Sequence, residues 1–296
     1  MIAGIVAAVP ANRVVNEDET FVKATGIKER RVATIDQDSV DLGYMAAIEL
    51  MRELHWLPSS ITAIIVVTQT PANAMPGNAA IIADMIGCKC PAFDVNMACS
   101  GYVYGMAIAD KFAGQGNVLL IVGDTVSKMV ELWDKPTGML FGDCVTATGI
   151  VSKHRDDFAL GTDGSGHDKL IADPKIRMNG AEVMTFALRT VPPLVEFTTA
   201  DRYVEAFLFH QANEMILKHL AKKCSIPLDQ MPMNIAKYGN TSSASIPLLM
   251  CDSSITPELL KRHVACCLVG FGAGWSWGAT VMGIGPLKVC KVVEGA

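Results

Sequence analysis

The sequence predicts an α/β protein built around a largely parallel sheet. Continuous β-branched and aliphatic runs at 61–68 and 118–122 read as strands covered on both faces. Segments with apolar residues at helical spacing lie between them, so strand and helix alternate along the chain. A length of 296 residues, half of them apolar, is enough for two packed halves with a large common core.

The elements follow in order. Residues 2–9 read as a first strand ended by Pro10, and 41–54 carry helical spacing that stops before Pro58. After the strand at 61–68 come a helix over 78–86 and a short strand, 92–95, running into Cys99. A helix over 101–112 and the buried strand at 118–122 complete this half. From 124 to 200, Pro, Gly and charged residues interrupt every period, and the stretch reads as loops and cap. Order returns with a strand at 206–209 that ends at His210, then a helix over 213–224 and, after Gly239-Asn240-Thr241, another over 243–251. Strands at 264–269 and 276–282 flank Gly270-Phe271-Gly272-Ala273-Gly274, where missing side chains let backbone approach a ligand or another chain closely. The alternation is the same in 1–152 and 153–296, which permits a duplicated architecture of two domain-sized halves.

Composition removes several function classes. The formal net charge of −5 and the lack of clustered Lys and Arg argue against a nucleic-acid partner. The longest apolar runs, 62–68, 118–123 and 264–271, stop short of the ~18 residues that a membrane-spanning helix needs. The N-terminus has no basic signal-peptide start, so a soluble, cytoplasmic protein with no membrane partner is expected. Nine cysteines, an odd number in a large chain, read as reduced thiols that mostly pack as small hydrophobes. Cys88-Lys89-Cys90 and Cys266-Cys267 lack the two-residue spacing and the histidine pair of a structural zinc site, so no metal is expected.

Three residues stand where chemistry is feasible. Cys99 follows a short strand and precedes a helix, whose positive end lowers a thiol pKa and offers backbone N–H groups. The same position suits a packed core cysteine. His210 lies where a strand gives way to a helix, as active-site residues of open α/β sheets do, and the same place suits a hydrogen-bonded core histidine. His55, His154, His167, His219 and His263 sit among charged or loop residues and read as surface. Asn240, between Gly239 and Thr241, reads by itself as a turn residue.

Together these residues fall in a set of ordered motifs. Asp94-Val95-Asn96-Met97-Ala98-Cys99-Ser100-Gly101-Tyr102, Phe141-Gly142-Asp143, His210-Gln211-Ala212-Asn213, Tyr238-Gly239-Asn240-Thr241-Ser242-Ser243-Ala244-Ser245 and Phe271-Gly272-Ala273-Gly274-Trp275-Ser276-Trp277-Gly278 resemble, in order, β-ketoacyl-acyl-carrier-protein synthase III. The resemblance begins near the N-terminus with Gly26-Ile27-Lys28-Glu29-Arg30-Arg31 and covers nearly the whole chain. It implies the thiolase fold, two similar halves in a five-layered α-β-α-β-α arrangement, and a homodimer.

The resemblance also implies the chemistry. Cys99 would take an acyl group from a thioester, with the backbone N–H groups of Cys99 and Ala273 holding the anion that forms. His210 and Asn240 would point N–H donors at the thioester carbonyl of a malonyl group, stabilising the enolate left when carbon dioxide departs. The enolate would then attack the acyl group on Cys99, a decarboxylative Claisen condensation that calls for no cofactor. The substrates are acyl-coenzyme A or acyl-carrier-protein and malonyl-carrier-protein, which makes an acyl carrier protein the expected partner. Elongating synthases place a second His where Asn240 stands, and thiolases need a second catalytic Cys.

Departures from the family pattern concern the donor. Thr20 and Ala24 occupy the positions of a Trp and an Arg that grip the nucleotide of coenzyme A, and the leader before them is shortened. Lys135 could replace a second nucleotide-facing Arg. Glu214 and Met215 replace a basic residue used for carrier-protein docking, leaving Lys222 and Lys223 to meet an acidic carrier. These changes point to a specialised pathway, such as a secondary metabolite or a surface sugar. Two alternatives stay open: an acyltransferase of the same fold passing its acyl group to an alcohol or amine, and a non-catalytic acyl-binding homologue. Asn240 weighs against the first, because nothing at that position would act as a base, and retention of all three polar residues weighs against the second.

Overall fold

A computed structural model of the chain describes residues 1–131, 134–152 and 157–295. The first half runs β1 (Ile2–Pro10), β2 (Arg13–Val15), α1 (Glu19–Thr25), β3 (Glu29–Arg31), α2 (Ser39–Leu54), β4 (Ile61–Val67), α3 (Asn78–Ile86) and β5 (Ala92–Val95). It continues with α4 (Gly101–Phe112), β6 (Asn117–Asp124), α5 (Lys135–Gly138) and β7 (Cys144–Ile150). The second half holds β8 (Ala159–Thr162), β9 (Leu170–Ala172), β10 (Ile176–Met178), α6 (Gly180–Thr199), β11 (Ala206–Phe209), α7 (Glu214–Lys223) and α8 (Ile235–Tyr238). It closes with α9 (Ser245–Cys251), α10 (Thr256–Lys261), β12 (Val264–Gly272), β13 (Ser276–Ile284) and β14 (Val289–Gly295).

Two sheets organise these elements. The first has the order β14-β1-β7-β6-β4-β5 and the second β11-β12-β13-β8. In the first, β1 with β14, β4 with β6 and β4 with β5 are parallel, while β7 runs against both of its neighbours. The second sheet has one parallel pair, β11 with β12, and two antiparallel ones. The expectation of a largely parallel sheet therefore needs correction: both sheets are mixed, with β13 turning straight back on β12 through Ala273, Gly274 and Trp275 and β7 running antiparallel to both β1 and β6.

Strand periodicity builds the layers. On β1, Val6 and Ala8 face a core with Leu42, Ala46 and Leu50 of α2 and Ile82 of α3. Ile5, Ala7 and Val9 face the other way, onto Tyr102 and Met106 of α4 and Leu248 and Leu249 of α9. The far side of α4 and α9 meets Leu208, Cys266 and Leu268 of the second sheet. The outer face of that sheet, Phe209, Cys267 and Val269, packs on Phe186, Val191 and Val195 of α6 and Leu217 and Leu220 of α7. Helices, sheet, helices, sheet, helices: the alternation of two along each strand turns one chain into five layers.

The stretch 124–200 corrects the expectation of loops and cap. It contains the fully buried β7 and the 20-residue α6, the longest helix among the described residues. β7 was hidden because Thr146 and Thr148 break its apolar run, yet both are buried, Thr146 donating to the Val122 carbonyl at 3.0 Å. α6 was hidden by Pro192-Pro193 in its interior, where proline normally breaks a helix. Pro192 has no N–H for the Leu188 carbonyl, and Lys223 Nζ donates to that oxygen at 3.2 Å instead. No helix among the described residues is long and apolar enough to cross a membrane.

Candidate active site

Cys99 sits in a short 3₁₀ turn, Ala98–Ser100, between β5 and the start of α4. Ala98 holds φ +47°, a left-handed conformation that costs a non-glycine residue ~1–3 kcal/mol and turns the chain so that the cysteine faces inward. The end of β12 lies directly on it. A Cβ added at Gly272 would come within 2.8 Å of Cys99 Cβ, and one at Gly270 within 2.9 Å of Ser100 Cα, so these glycines are required by close backbone approach. Ser100 Oγ and Ser276 Oγ are 2.8 Å apart, and Ser276 donates to the Ala273 carbonyl at 2.9 Å, tying the loop that bears Ala273 to the turn that bears Cys99.

The thiol does not behave as its helix-terminal position suggests. It is only 8% exposed, and burial pushes it up to about 12, with Asp124 raising it further and the Ser242 hydroxyl, 3.9 Å away, drawing it partly back. Loss of hydration outweighs the helix end. Burial therefore holds Cys99 as a neutral thiol.

His210 follows β11 and is 2% exposed. Its Nδ1 lies 2.7 Å from Ser245 Oγ at the start of α9, and that oxygen also accepts the Gln211 N–H at 3.3 Å. The Phe271 ring meets the imidazole edge to face, with centroids 5.4 Å apart. Burial pushes the imidazole down to about 3, offset only in part by the Ser242 carbonyl, so His210 is neutral at any ordinary pH.

Asn240 is placed by backbone. Its N–H donates to the Leu140 carbonyl and its own carbonyl accepts from Gly142 N–H, each at 3.0 Å, while its Oδ1 accepts the Ser242 N–H at 2.9 Å. Side chains of Cys99, His210 and Asn240 line one cavity, with Leu140, Phe141, Val183 and Ile216 as apolar walls. A second lobe, also bounded by Cys99, is walled by Gln69, Val126, Met129, Ile171, Ile176, Ser242 and Ala273. The sequence-predicted residues Cys99, His210, Asn240 and Ala273 thus converge.

Lys222 and Lys223 do not. Both are exposed at the C-terminal end of α7, roughly 14–15 Å along the helix from Asn213 at the cavity wall, by the ~1.5 Å rise per residue. Thr20 and Ala24 are exposed on α1, and Lys28 is exposed just beyond it. His55, His167, His219 and His263 are exposed as expected, whereas His154 and the Lys135 side chain lie outside the described residues.

Residues that the sequence showed only as motif members hold the site. Arg30 is buried and donates to the Gly138 and Phe141 carbonyls at 2.9 and 3.0 Å. Asp143 is buried and accepts the backbone N–H groups of Ala33 and Ser127 at 2.7 and 2.8 Å. A Cβ at Gly142 would come within 2.1 Å of the Tyr238 carbonyl. The motifs around Arg30 and Phe141 are therefore clamps that fix the segment whose Phe141 forms an isolated parallel bridge with Asn240. Gln69, whose Nε2 donates to Ser242 Oγ at 2.6 Å, was not singled out either, because a lone Gln after a strand carries no signal.

Residues 93–164 match a family model described as 3-oxoacyl-[acyl-carrier-protein (ACP)] synthase III, and residues 197–284 match the model of its C-terminal part. The chain is 37% identical over 280 residues to the β-ketoacyl-[acyl-carrier-protein] synthase III of Staphylococcus aureus strain JH1, covering 88% of each chain. Its structure is similar to that of a 3-oxoacyl-(acyl-carrier protein) synthase from Burkholderia xenovorans LB400, with a TM-score of 0.94, 36% identity and coverage of 99% of this chain and 96% of that one. The 3-oxoacyl-[acyl-carrier-protein] synthase III of Aquifex aeolicus VF5 gives a TM-score of 0.87 at 33% identity, covering 95% and 98%. The five layers are the thiolase-like fold, and the chain belongs to the β-ketoacyl-acyl-carrier-protein synthase III family of condensing enzymes.

Proposed function

We propose that Cys99 is the nucleophile of a two-stage condensation. In the first stage its sulfur bonds to the acyl carbon of a thioester donor, the donor carbon–sulfur bond breaks, and the Cys99 proton leaves on the departing thiol. Proton balance is thereby kept, which suits a thiol that burial holds neutral. Backbone N–H groups of Cys99 and Ala273 hold the transient oxyanion. In the second stage a malonyl thioester loses carbon dioxide, and its bonding electrons become an enolate whose oxygen sits between His210 and the Asn240 amide. The enolate carbon attacks the acyl group, the acyl carbon–sulfur bond breaks, and the departing Cys99 thiolate takes the one proton the reaction consumes from solvent water.

The observation that carries this reading is the state of the two polar side chains. The Asn240 oxygen is already occupied by Ser242 N–H, which leaves the amide nitrogen for a substrate carbonyl, and His210 is neutral. A group held near 3 is a poor general base and Asn240 has no basic atom, so neither side chain would activate an alcohol to take the acyl group. The chemistry needs no metal or redox cofactor, since decarboxylation supplies the carbanion.

A carrier protein as the donor's vehicle, a homodimer and a cytoplasmic site of action belong to the same reading. The exposed Thr20 and Ala24 support the first, and the open edge of β5 in the first sheet offers a surface for the second. Mass spectrometry after incubation with acyl thioesters tests the proposal, with release of labelled carbon dioxide from malonyl thioester as the second readout. Absence of both an adduct on Cys99 and carbon dioxide release would reject it.

A further inference from the structure

We infer that Ser242, held by Gln69, is a further catalytic residue whose hydroxyl donates to the Cys99 sulfur whenever that sulfur carries negative charge; this rests on the nucleophile reading of Cys99. Cys99 Sγ and Ser242 Oγ lie 3.9 Å apart, and both side chains are buried. A sulfur that gains charge there has lost most of its water. Burial first, and the Asp124 charge after it, hold the thiol neutral, while the Ser242 hydroxyl is the strongest influence in the other direction. Condensation nonetheless expels Cys99 as a thiolate, so a donor placed at the sulfur stabilises that departure.

Gln69 decides which way the hydroxyl can point. A serine hydroxyl has one proton and two lone pairs, and Gln69 Nε2 takes one lone pair by donating to Ser242 Oγ at 2.6 Å. Asp124 fixes which end of the Gln69 amide faces Ser242: its Oδ2 lies 3.4 Å from the same Nε2 and would repel the amide oxygen. Asp124 is fully buried and is itself held by the Thr68 hydroxyl, the Gln69 backbone N–H and the Ser243 hydroxyl at 3.0, 2.6 and 2.9 Å. Among the described residues, the other polar contact of Ser242 Oγ is the Cys99 sulfur. The second lone pair accepts from the neutral S–H, and rotation of the hydroxyl turns its proton toward a thiolate. The proton stays on the serine oxygen throughout, so Ser242 stabilises the sulfur charge without taking part in proton transfer.

The first measurement is the rate of iodoacetamide labelling of Cys99 at pH 8, read by mass on the peptide that carries it so that the other cysteines do not count. Ser242→Ala should lower the thiolate fraction about tenfold and the labelling rate about threefold, because a more basic thiolate is also more nucleophilic. Removing an oxygen opens the path to the sulfur, so a merely steric role would move the rate the other way. Ser242→Gly, which suits the φ of +50° at this position, should fall equally and so separates the hydroxyl from strain in the turn. Gln69→Leu should lower the rate by a smaller factor and add nothing in the double variant with Ser242→Ala, since it acts through Ser242. The second measurement compares single-turnover acetylation by acetyl N-acetylcysteamine with malonyl decarboxylation on the same preparations. Their ratio should fall about threefold in Ser242→Ala, whereas a loss of folded protein would lower both alike. Labelling that is unchanged or faster in both Ser242 variants would overturn the role of the hydroxyl, and full additivity in the double variant would overturn that of Gln69. A native chain that iodoacetamide labels at Cys99 but no thioester acetylates would reject the nucleophile reading, and the catalytic role of Ser242 with it.

Discussion

The side-chain oxygen of Asn240 accepts the Ser242 backbone N–H at 2.9 Å, and the hydroxyl oxygen of the same Ser242 accepts from the Cys99 thiol at 3.9 Å. One residue therefore orients the proposed enolate donor and touches the proposed nucleophile. Ser242 does this from φ +50°, a conformation that stores strain and that the surrounding turn must over-determine.

Replacing Cys99 by Ser should abolish acyl-enzyme formation while leaving the fold intact, because the hydroxyl fits the turn and is scarcely ionised. Since burial pushes the native thiol up to about 12, its alkylation by iodoacetamide should rise about tenfold per pH unit from 7 and still be climbing at pH 10. A plateau below pH 8 would show that the helix end, and not burial, governs the thiol.

His210→Ala and Asn240→Ala should each slow malonyl decarboxylation by on the order of a hundredfold or more, because each removes a donor aimed at the developing enolate. Self-acylation should suffer less. Single-turnover acylation and carbon dioxide release, measured on the same preparations, separate the two stages. Loss of acylation alone in both variants would contradict the assigned roles.

Acid should destabilise the protein through His210. Its folded pKa, about 3, lies below the unfolded value of 6.5, so below pH 6.5 the unfolded chain binds a proton that the folded chain refuses. Stability is then lost as pH falls, by about 2 kcal/mol between pH 6.5 and 5 at ~1.4 kcal/mol per unit. Denaturant midpoints across that range should fall less steeply for His210→Asn; equal slopes would count against a buried neutral imidazole.

Free acyl-coenzyme A should be a weak donor compared with a matched acyl-carrier thioester. Thr20 and Ala24 are exposed on α1 and offer neither a ring to stack on a base nor a planar cation for phosphate. Losing both contacts should raise the Michaelis constant ten- to a hundredfold, at ~0.5–1.5 kcal/mol for the stack and a comparable amount for the cation, with little effect on the maximal rate. Steady-state kinetics with the two donors decide it: a low-micromolar constant for coenzyme A thioester, equal to or below the carrier form, would refute the expectation.

Much of this molecule is legible in the amino-acid order. The β-branched run of β4 and the helical spacing of α2 declare themselves because each depends on neighbours a few residues away. Cys99, His210 and Asn240 were identifiable because their motifs are local and ordered along the chain. What the order of residues could not show is held by contacts far apart in sequence. β7 is a strand because Thr146 finds the Val122 carbonyl, and α6 survives Pro192 because Lys223 reaches the Leu188 carbonyl from another helix. The direction of the thiol shift likewise belongs to the tertiary structure: a helix terminus is a local signal, but desolvation of Cys99 comes from β12 folding over it, with Gly272 against its Cβ.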